Sequence, residues 1–319
     1  MNHPNARNKN SRHVYGIVPS RRLGRSLGVS TVPFKVCNYS CVYCQLGRTT
    51  KVCNTRQSFY PTNEILGELE EFLKVHNENE YDVITLVSEG EPLLYRPIDI
   101  IISGIKRLSK KPVVVITNGS LFYDENVRNE VRQADIIMPT LDAWDDESFK
   151  RINRPFGKLS FEEVYKGLLE LRNLFPGEVW LEVMLVKGLN DSKEQLERLT
   201  ERIARLKPDR VYVNVPLRPP AEPWVEKPDE VTIKQARELF NAISIEKGAP
   251  GKFVSPESDA ESALLEIIKR HPMSKSDICS FLEQRKINSE QFLREFESLG
   301  HVKKIVYNGT VFYRFIKEG

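Results

Sequence analysis

The stretch Val32-Pro33-Phe34-Lys35-Val36-Cys37-Asn38-Tyr39-Ser40-Cys41-Val42-Tyr43-Cys44 holds three of the chain's five cysteines, spaced C-x3-C-x2-C. A short apolar run, Val29 to Val36, leads into it, so the pattern predicts a strand that delivers a thiolate-rich loop. Thiolates this close can converge on one soft metal centre, and Cys-rich loops of this kind hold iron–sulfur clusters. A [4Fe–4S] cube has four irons, and three cysteines would leave one of them open to a small molecule. A closed zinc site takes four protein ligands. Cys53 follows shortly after Cys44, so a four-cysteine site stands as the alternative, and unrelated buried thiols as a further one.

Working outward, 319 residues fit one large domain and a small one. No run approaches the length of apolar sequence that spans a bilayer, so no membrane span is expected. The first twelve residues are polar and lack an apolar segment; they read as a disordered tail over 1–12, without a secretory signal. Five clustered cysteines do not make a disulfide framework, and a reducing cytoplasm is the setting they imply. The net charge of +3 hides an asymmetry. Residues 1–63 carry ten Lys or Arg and no Asp or Glu, whereas the rest carries 37 against 44. Positive charge therefore surrounds the cysteine loop. It suits an anionic cluster and its ligand, an anionic substrate such as RNA, or simply a solvated face.

After the loop, short apolar runs alternate with amphipathic segments. Strands are expected near residues 29, 83, 113, 136, 179 and 211. Helices are expected over 98–108, 124–132, 161–174, 192–206 and 231–247, with a further one opening at Pro61-Thr62-Asn63-Glu64 and capped by Thr62 or Asn63. This alternation implies an α/β fold with a parallel sheet and right-handed crossovers, a partial (β/α)6 barrel spanning 13–250. Five prolines between Pro216 and Pro228 mark an extended loop. Gly248-Ala249-Pro250-Gly251 marks a break. Beyond it, 256–319 reads as helices over 260–270, 274–284 and 289–299, then a hairpin turning at Asn308-Gly309. Three helices and a hairpin resemble a winged helix.

The motif C-x3-C-x-aromatic-C at the end of a first strand, with Tyr43 in the aromatic slot, resembles the signature of the radical S-adenosylmethionine (SAM) superfamily. The wider stretch from Tyr15 to Gly28, the cysteine loop and Gln45-Leu46-Gly47 resemble its Fe–S oxidoreductases related to the tRNA wyosine-base synthases. The resemblance implies a radical SAM barrel with a [4Fe–4S] cluster on Cys37, Cys41 and Cys44, SAM on the open iron, and a ferredoxin or flavodoxin as electron donor. It also implies an enzyme that cleaves SAM to a 5′-deoxyadenosyl radical and takes hydrogen from a substrate. Ser88-Glu89-Gly90-Glu91-Pro92 resembles the Gly-Gly-Glu-Pro motif that receives the SAM amino group, with Glu89 in place of the first glycine. Wyosine-base synthases bear a second cysteine trio; here only Cys53 and Cys279 remain, so their tRNA chemistry does not carry over.

Other strand ends carry candidate cofactor contacts, since parallel α/β folds bind ligands there. Thr117 and Asn118 could hydrogen-bond ribose or the methionine part, or form a plain turn with Gly119. Asp142 could accept from ribose hydroxyls or cap a helix. Glu182 and Met184 share one face of their strand, and a carboxylate facing a barrel interior is rarely idle; Asn214 poses the same question. Arg151 and Arg154 suit carboxylate or phosphate recognition, or a surface loop. Residues 256–319 balance ten basic against ten acidic side chains, and the last helix carries Glu290, Glu295 and Glu297 against Arg294. That composition speaks for protein docking, a self-contact or substrate covering over nucleic-acid binding. The substrate, RNA or protein among the options, is not named by the sequence. A non-catalytic iron–sulfur sensor acting through its winged helix is the alternative reading.

Overall fold

The computed structural model describes residues 12–87, 89–243 and 252–316. Two strands open the chain, β1 (Val14–Ser20) and β2 (Gly24–Val29), paired antiparallel. The cysteine loop follows, containing the short parallel pair β3 (Val36–Cys37) and β4 (Lys51–Val52). The regular part then runs α1 (Thr62–Val75), β5 (Val83–Leu86), α2 (Ile98–Leu108), β6 (Val113–Thr117), α3 (Glu125–Glu130), β7 (Ile136–Pro139), α4 (Asp146–Ile152), α5 (Phe161–Leu174), β8 (Glu178–Met184), α6 (Lys193–Leu206), β9 (Arg210–Asn214) and α7 (Glu230–Leu239). Strands β2 and β5 to β9 are parallel neighbours in one open seven-stranded sheet, with β1 and β9 at its edges. The six expected parallel strands are therefore present in the expected order, and among the described residues the sheet does not close into a barrel.

Several boundaries differ, each for a local reason. The strand before the cysteines is Gly24–Val29, not Val29 to Val36. Pro33 and Lys35, the latter at φ 62, break the extended backbone between them. Pro61, not Thr62 or Asn63, is the N-cap of α1. The helix expected over 231–247 stops at Leu239, before Asn241 at φ 49. The Gly248 to Gly251 break, Ser88 and the tail lie outside the described residues, except for Arg12, which is ion-paired with Glu257.

Side chains alternate across a strand, and here the inner face changes character along its length. Near the strand starts, Leu23, Val83, Val114, Ile136, Trp180 and Tyr212 form one apolar cluster that plugs the barrel. Two residues further along each strand stand Thr85, Ile116, Glu182 and Asn214, which line an open cavity together with Ser26 and Thr140. The opposite faces of the strands and the apolar stripes of the helices form the main core.

A second core belongs to the C-terminal unit: α8 (Ala260–Arg270), β10 (Met273–Ser274), α9 (Lys275–Gln284), α10 (Ser289–Ser298), β11 (Val302–Tyr307) and β12 (Thr310–Phe315). Its three strands run in the order β10-β12-β11. Asn308 and Gly309 both take positive φ in the β11–β12 turn, as a tight hairpin requires. The unit packs on the barrel through Phe34 against Phe315, ring centroids 5.3 Å apart, and through Arg314 donating to the Pro220 carbonyl at 3.0 Å.

Candidate active site

The cysteine loop is held in shape mainly by backbone. Ser40 N and Val42 N donate to the carbonyls of Asn153 and Ile152 at 3.1 and 2.9 Å, and Phe156 N donates back to Asn38 O at 2.7 Å. On its other side, Cys53 N donates to Cys37 O at 3.1 Å. The strand-end loop after β5 joins the same frame: Lys35 N donates to Glu89 O at 2.7 Å and Glu91 N to Val36 O at 3.0 Å. Gly90 sits at this crossing, where a Cβ would lie 1.8 Å from the Val36 carbonyl oxygen. Glycine is thus demanded by close backbone approach.

Cys37, Cys41 and Cys44 all line a cavity of about 660 Å³, together with Tyr43, Gly90 and Glu182. Cys53 does not line it and packs against the main core. Each of the three sulfurs has a donor nearby: Asn118 Nδ2 at 3.7 Å from Cys37, Asn153 Nδ2 at 3.6 Å from Cys41 and Lys35 Nζ at 3.4 Å from Cys44. Burial raises the Cys37 thiol well above its usual range, helped by Glu91 and the other cysteines. Burial and the nearby Cys44 push Cys41 up to about 12. A thiolate trio in such a place calls for a cationic centre to stabilise it. Among the described residues, the one trio of His, Cys, Asp or Glu ligand atoms within 4.8 Å of one another is His13, Glu64 and Glu68. The three cysteine sulfurs do not form such a group.

Glu91, Thr117, Asn118 and Asp142 form the layer behind the cavity wall. The Glu91 carboxylate accepts from Leu93 N at 3.0 Å, Thr117 Oγ1 at 2.6 Å and Asn118 N at 2.8 Å. It therefore ties the ends of β5 and β6 together; burial still raises it to about 7 against those bonds. Asp142 accepts from Tyr43 Oη, from Asn153 Nδ2 at 2.9 Å and from Met184 N at 2.7 Å, and burial raises it to about 6. Glu182 faces the cavity, ion-paired with Arg22 and accepting from Asn214 Nδ2 at 2.8 Å. Glu89 is buried against Arg270 of the C-terminal unit at 2.9 Å, with Ser30 donating to it. Arg154 pairs with Glu222 rather than facing the cavity.

Three residues gain a role only in the fold. Asn153 bridges Cys41, Tyr43 and Asp142. Lys35 reaches Cys44, and Arg270 reaches Glu89 from a remote part of the chain. Asn153 stands between two arginines that drew attention to the segment for another reason. Arg270 carried no sequence signal.

The profile of the radical SAM superfamily matches residues 31–203, more than half of the chain. The chain belongs to the radical SAM superfamily. UPF0026 protein MJ1312 of Methanocaldococcus jannaschii is 32% identical over 309 residues, covering 94% of this chain and 95% of that protein. A protein named GTPase Obg from Brachyspira hyodysenteriae is 33% identical over 308 residues, covering 95% of this chain; the chain spans 45% of its length. Among solved structures, a radical SAM methyltransferase from Sphaerobacter thermophilus shares the fold with a TM-score of 0.51 at 17% identity, covering 67% of this chain and 63% of that one. As a radical SAM enzyme, the protein uses a [4Fe–4S] cluster and SAM and requires a reductant. The three cavity-lining thiols are a donor set that fits such a cluster. The sensor alternative finds no support in these likenesses. Among the described residues, no helix is long and apolar enough to cross a membrane.

Proposed function

We propose that Cys37, Cys41 and Cys44 hold the cluster of this radical SAM enzyme and that the cavity they line is its reaction chamber. The observation that carries this reading is that the three thiols share one cavity with the polar inner faces of successive strands. Bound there, the cluster and SAM would supply radical chemistry that begins with removal of hydrogen from the substrate. The chain's own residues bind, orient and shield. Gly90 lets the strand-end loop meet the cysteine loop and offers backbone polar groups to the SAM ammonium. Tyr43, held by Asp142 and Asn153, fixes one wall, while Glu91, Thr117 and Asn118 lock the loops beneath. Glu182 and Asn214 present polar groups to the chamber interior. Holding reactants in one geometry and excluding water is the protein's share of such chemistry.

The C-terminal unit has the helix–strand–helix–helix–strand–strand order of a winged helix, and we read it as a cover rather than a nucleic-acid reader. Its Arg270, His271, Ser280 and Gln284 line the cavity. A small acidic electron carrier of the ferredoxin or flavodoxin type in a reducing cytoplasm fits the basic surroundings of the cysteine loop. Anaerobically reconstituted protein should bind about four irons per chain and release 5′-deoxyadenosine from SAM and reductant. Cys37→Ala, Cys41→Ala and Cys44→Ala should each lose cluster absorbance and that product. Full activity in any one of them would sink the assignment.

A further inference from the structure

Charge on the cavity wall is unbalanced. The wall carries Arg21, Arg22, Lys35, Arg218, Lys252 and Arg270 against Glu89, Glu182 and Asp277. Three of those cations are already engaged. Arg22 pairs with Glu182, Lys35 bonds Cys44 and the Gly47 carbonyl, and Arg270 pairs with Glu89 and Glu266. Asp277 is occupied as the capping-box residue of α9 with Ser274. That leaves Arg21 at the end of β1, Arg218 after β9, and Lys252 in the segment entering the C-terminal unit.

None of these three has a carboxylate within ion-pair distance among the described residues, and only Arg218 feels a nearby one, Asp277. Arg218 donates from Nε to the Pro272 carbonyl at 3.0 Å and from a terminal nitrogen to His271 Nε2 at 2.5 Å. Arg21 and Lys252 make no hydrogen bond or ion pair among the described residues. Arg237 of α7 adds to the crowding beside Arg21, with its Nε buried and unpartnered. Burial, with Arg237 beside it, lowers the Arg21 guanidinium; burial and Arg21 bring Arg218 down to about 10 against the opposing pull of Asp277; burial and both arginines hold His271 well below its usual range. Neutral His271 thus accepts from Arg218 and orients it. Like charges that outnumber their one nearby carboxylate are costly unless a further anion joins them.

Resting on the reading of the cavity as the reaction chamber, we propose that Arg21, Arg218 and Lys252 form an anion subsite for a phosphate-bearing small-molecule substrate. A phosphate monoester carries about −1.5 to −2 at neutral pH and offers several strong acceptor oxygens, which answers several unpaired cations where a lone carboxylate answers one. The C-terminal unit reaches this corner of the cavity, with His271 bonded to Arg218, and the cavity's size of about 660 Å³ suits a small molecule. The subsite lies between the two edge strands, so it would hold the substrate's anionic end while another part faces the cysteines.

Calorimetric titration of the cluster-loaded, full-length protein with inorganic pyrophosphate, acetate and a short RNA tests this. Pyrophosphate should bind and acetate far more weakly. Arg218→Gln and Arg21→Gln should each weaken pyrophosphate binding by about tenfold, the worth of one charge-assisted hydrogen bond. Arg172→Gln, at a surface pair with Asp209, should not. Iron content reports whether each variant has folded. If the arginine variants fail to load, Lys252→Gln, at an exposed position, must show a weakened titration instead. Absent pyrophosphate binding in the wild type, unchanged binding in loaded variants, or binding of RNA alone would each overturn the subsite. Formation of 5′-deoxyadenosine by the same wild-type preparation separates the two ideas. SAM cleavage without pyrophosphate binding refutes the subsite only, and binding without SAM cleavage refutes the radical reading only.

Discussion

At the scale of single residues, the site is built by close approach and by burial. Gly90→Ala would drive a methyl group into the Val36 carbonyl, a backbone contact that no rotamer change relieves. Overpacking of this kind costs about 1–3 kcal/mol, so the variant should unfold at lower denaturant and load less iron. Glu91 gives a pH signature with a definite sign. Its folded value of about 7 lies above the ordinary 4.5, so the folded state holds the proton more tightly. The contribution is complete below the ordinary value and fades as pH rises through 7, by at most ~3 kcal/mol. Unfolding of cluster-free protein should therefore become easier from pH 5 to pH 8, and Glu91→Gln should flatten that slope. A slope equal to wild type in Glu91→Gln would assign the effect elsewhere.

At the scale of elements, three loops meet at one carboxylate. Glu222, buried in the proline-rich loop after β9, accepts two bonds from Arg48 at 2.9 and 2.8 Å and pairs with Arg154 of the α4–α5 loop. The Arg48 hydrogen bonds, with Arg154, hold its carboxyl below the usual range. This contribution is present above the ordinary glutamate value and is lost as pH falls through the lower folded value. Acidification below pH 4.5 should lower the melting temperature of wild type more than that of Glu222→Gln; equal losses would show that the clamp is not felt. Helices and parallel strands were legible in the sequence because their apolar spacing is local, and α2 and α5 match their expected bounds. The β1–β2 hairpin was not, because Gly16, Pro19, Gly24 and Gly28 break its pattern. Gly28 is there for packing: a Cβ would lie 1.9 Å from the Tyr15 ring. Likewise the cysteines announce themselves by spacing, whereas Asn153 and Arg270 matter only once distant segments meet.

At the scale of the whole molecule, Arg270 is the rivet between barrel and C-terminal unit. It is buried, lies over the Tyr15 ring at 4.6 Å and pairs with both Glu89 and Glu266. Removing one partner of a buried pair typically costs 3–5 kcal/mol, because the other charge is left uncompensated. Arg270→Met should therefore destabilise the chain by about 3 kcal/mol, and adding Glu89→Gln should recover part of the loss. Strict additivity of the two substitutions in denaturant unfolding would show that the residues do not act as a pair.

The cysteine loop is pinned through its main chain, on one side by residues 152–156 and on the other by the β3–β4 pair and the bond from Cys53 N to Cys37 O. A cradle fastened in this way keeps its outline before any iron arrives. Loading should then resemble filling a rigid mould, with little ordering cost, and the amides of Ser40 and Val42 should resist deuterium uptake equally in metal-free and metal-loaded protein.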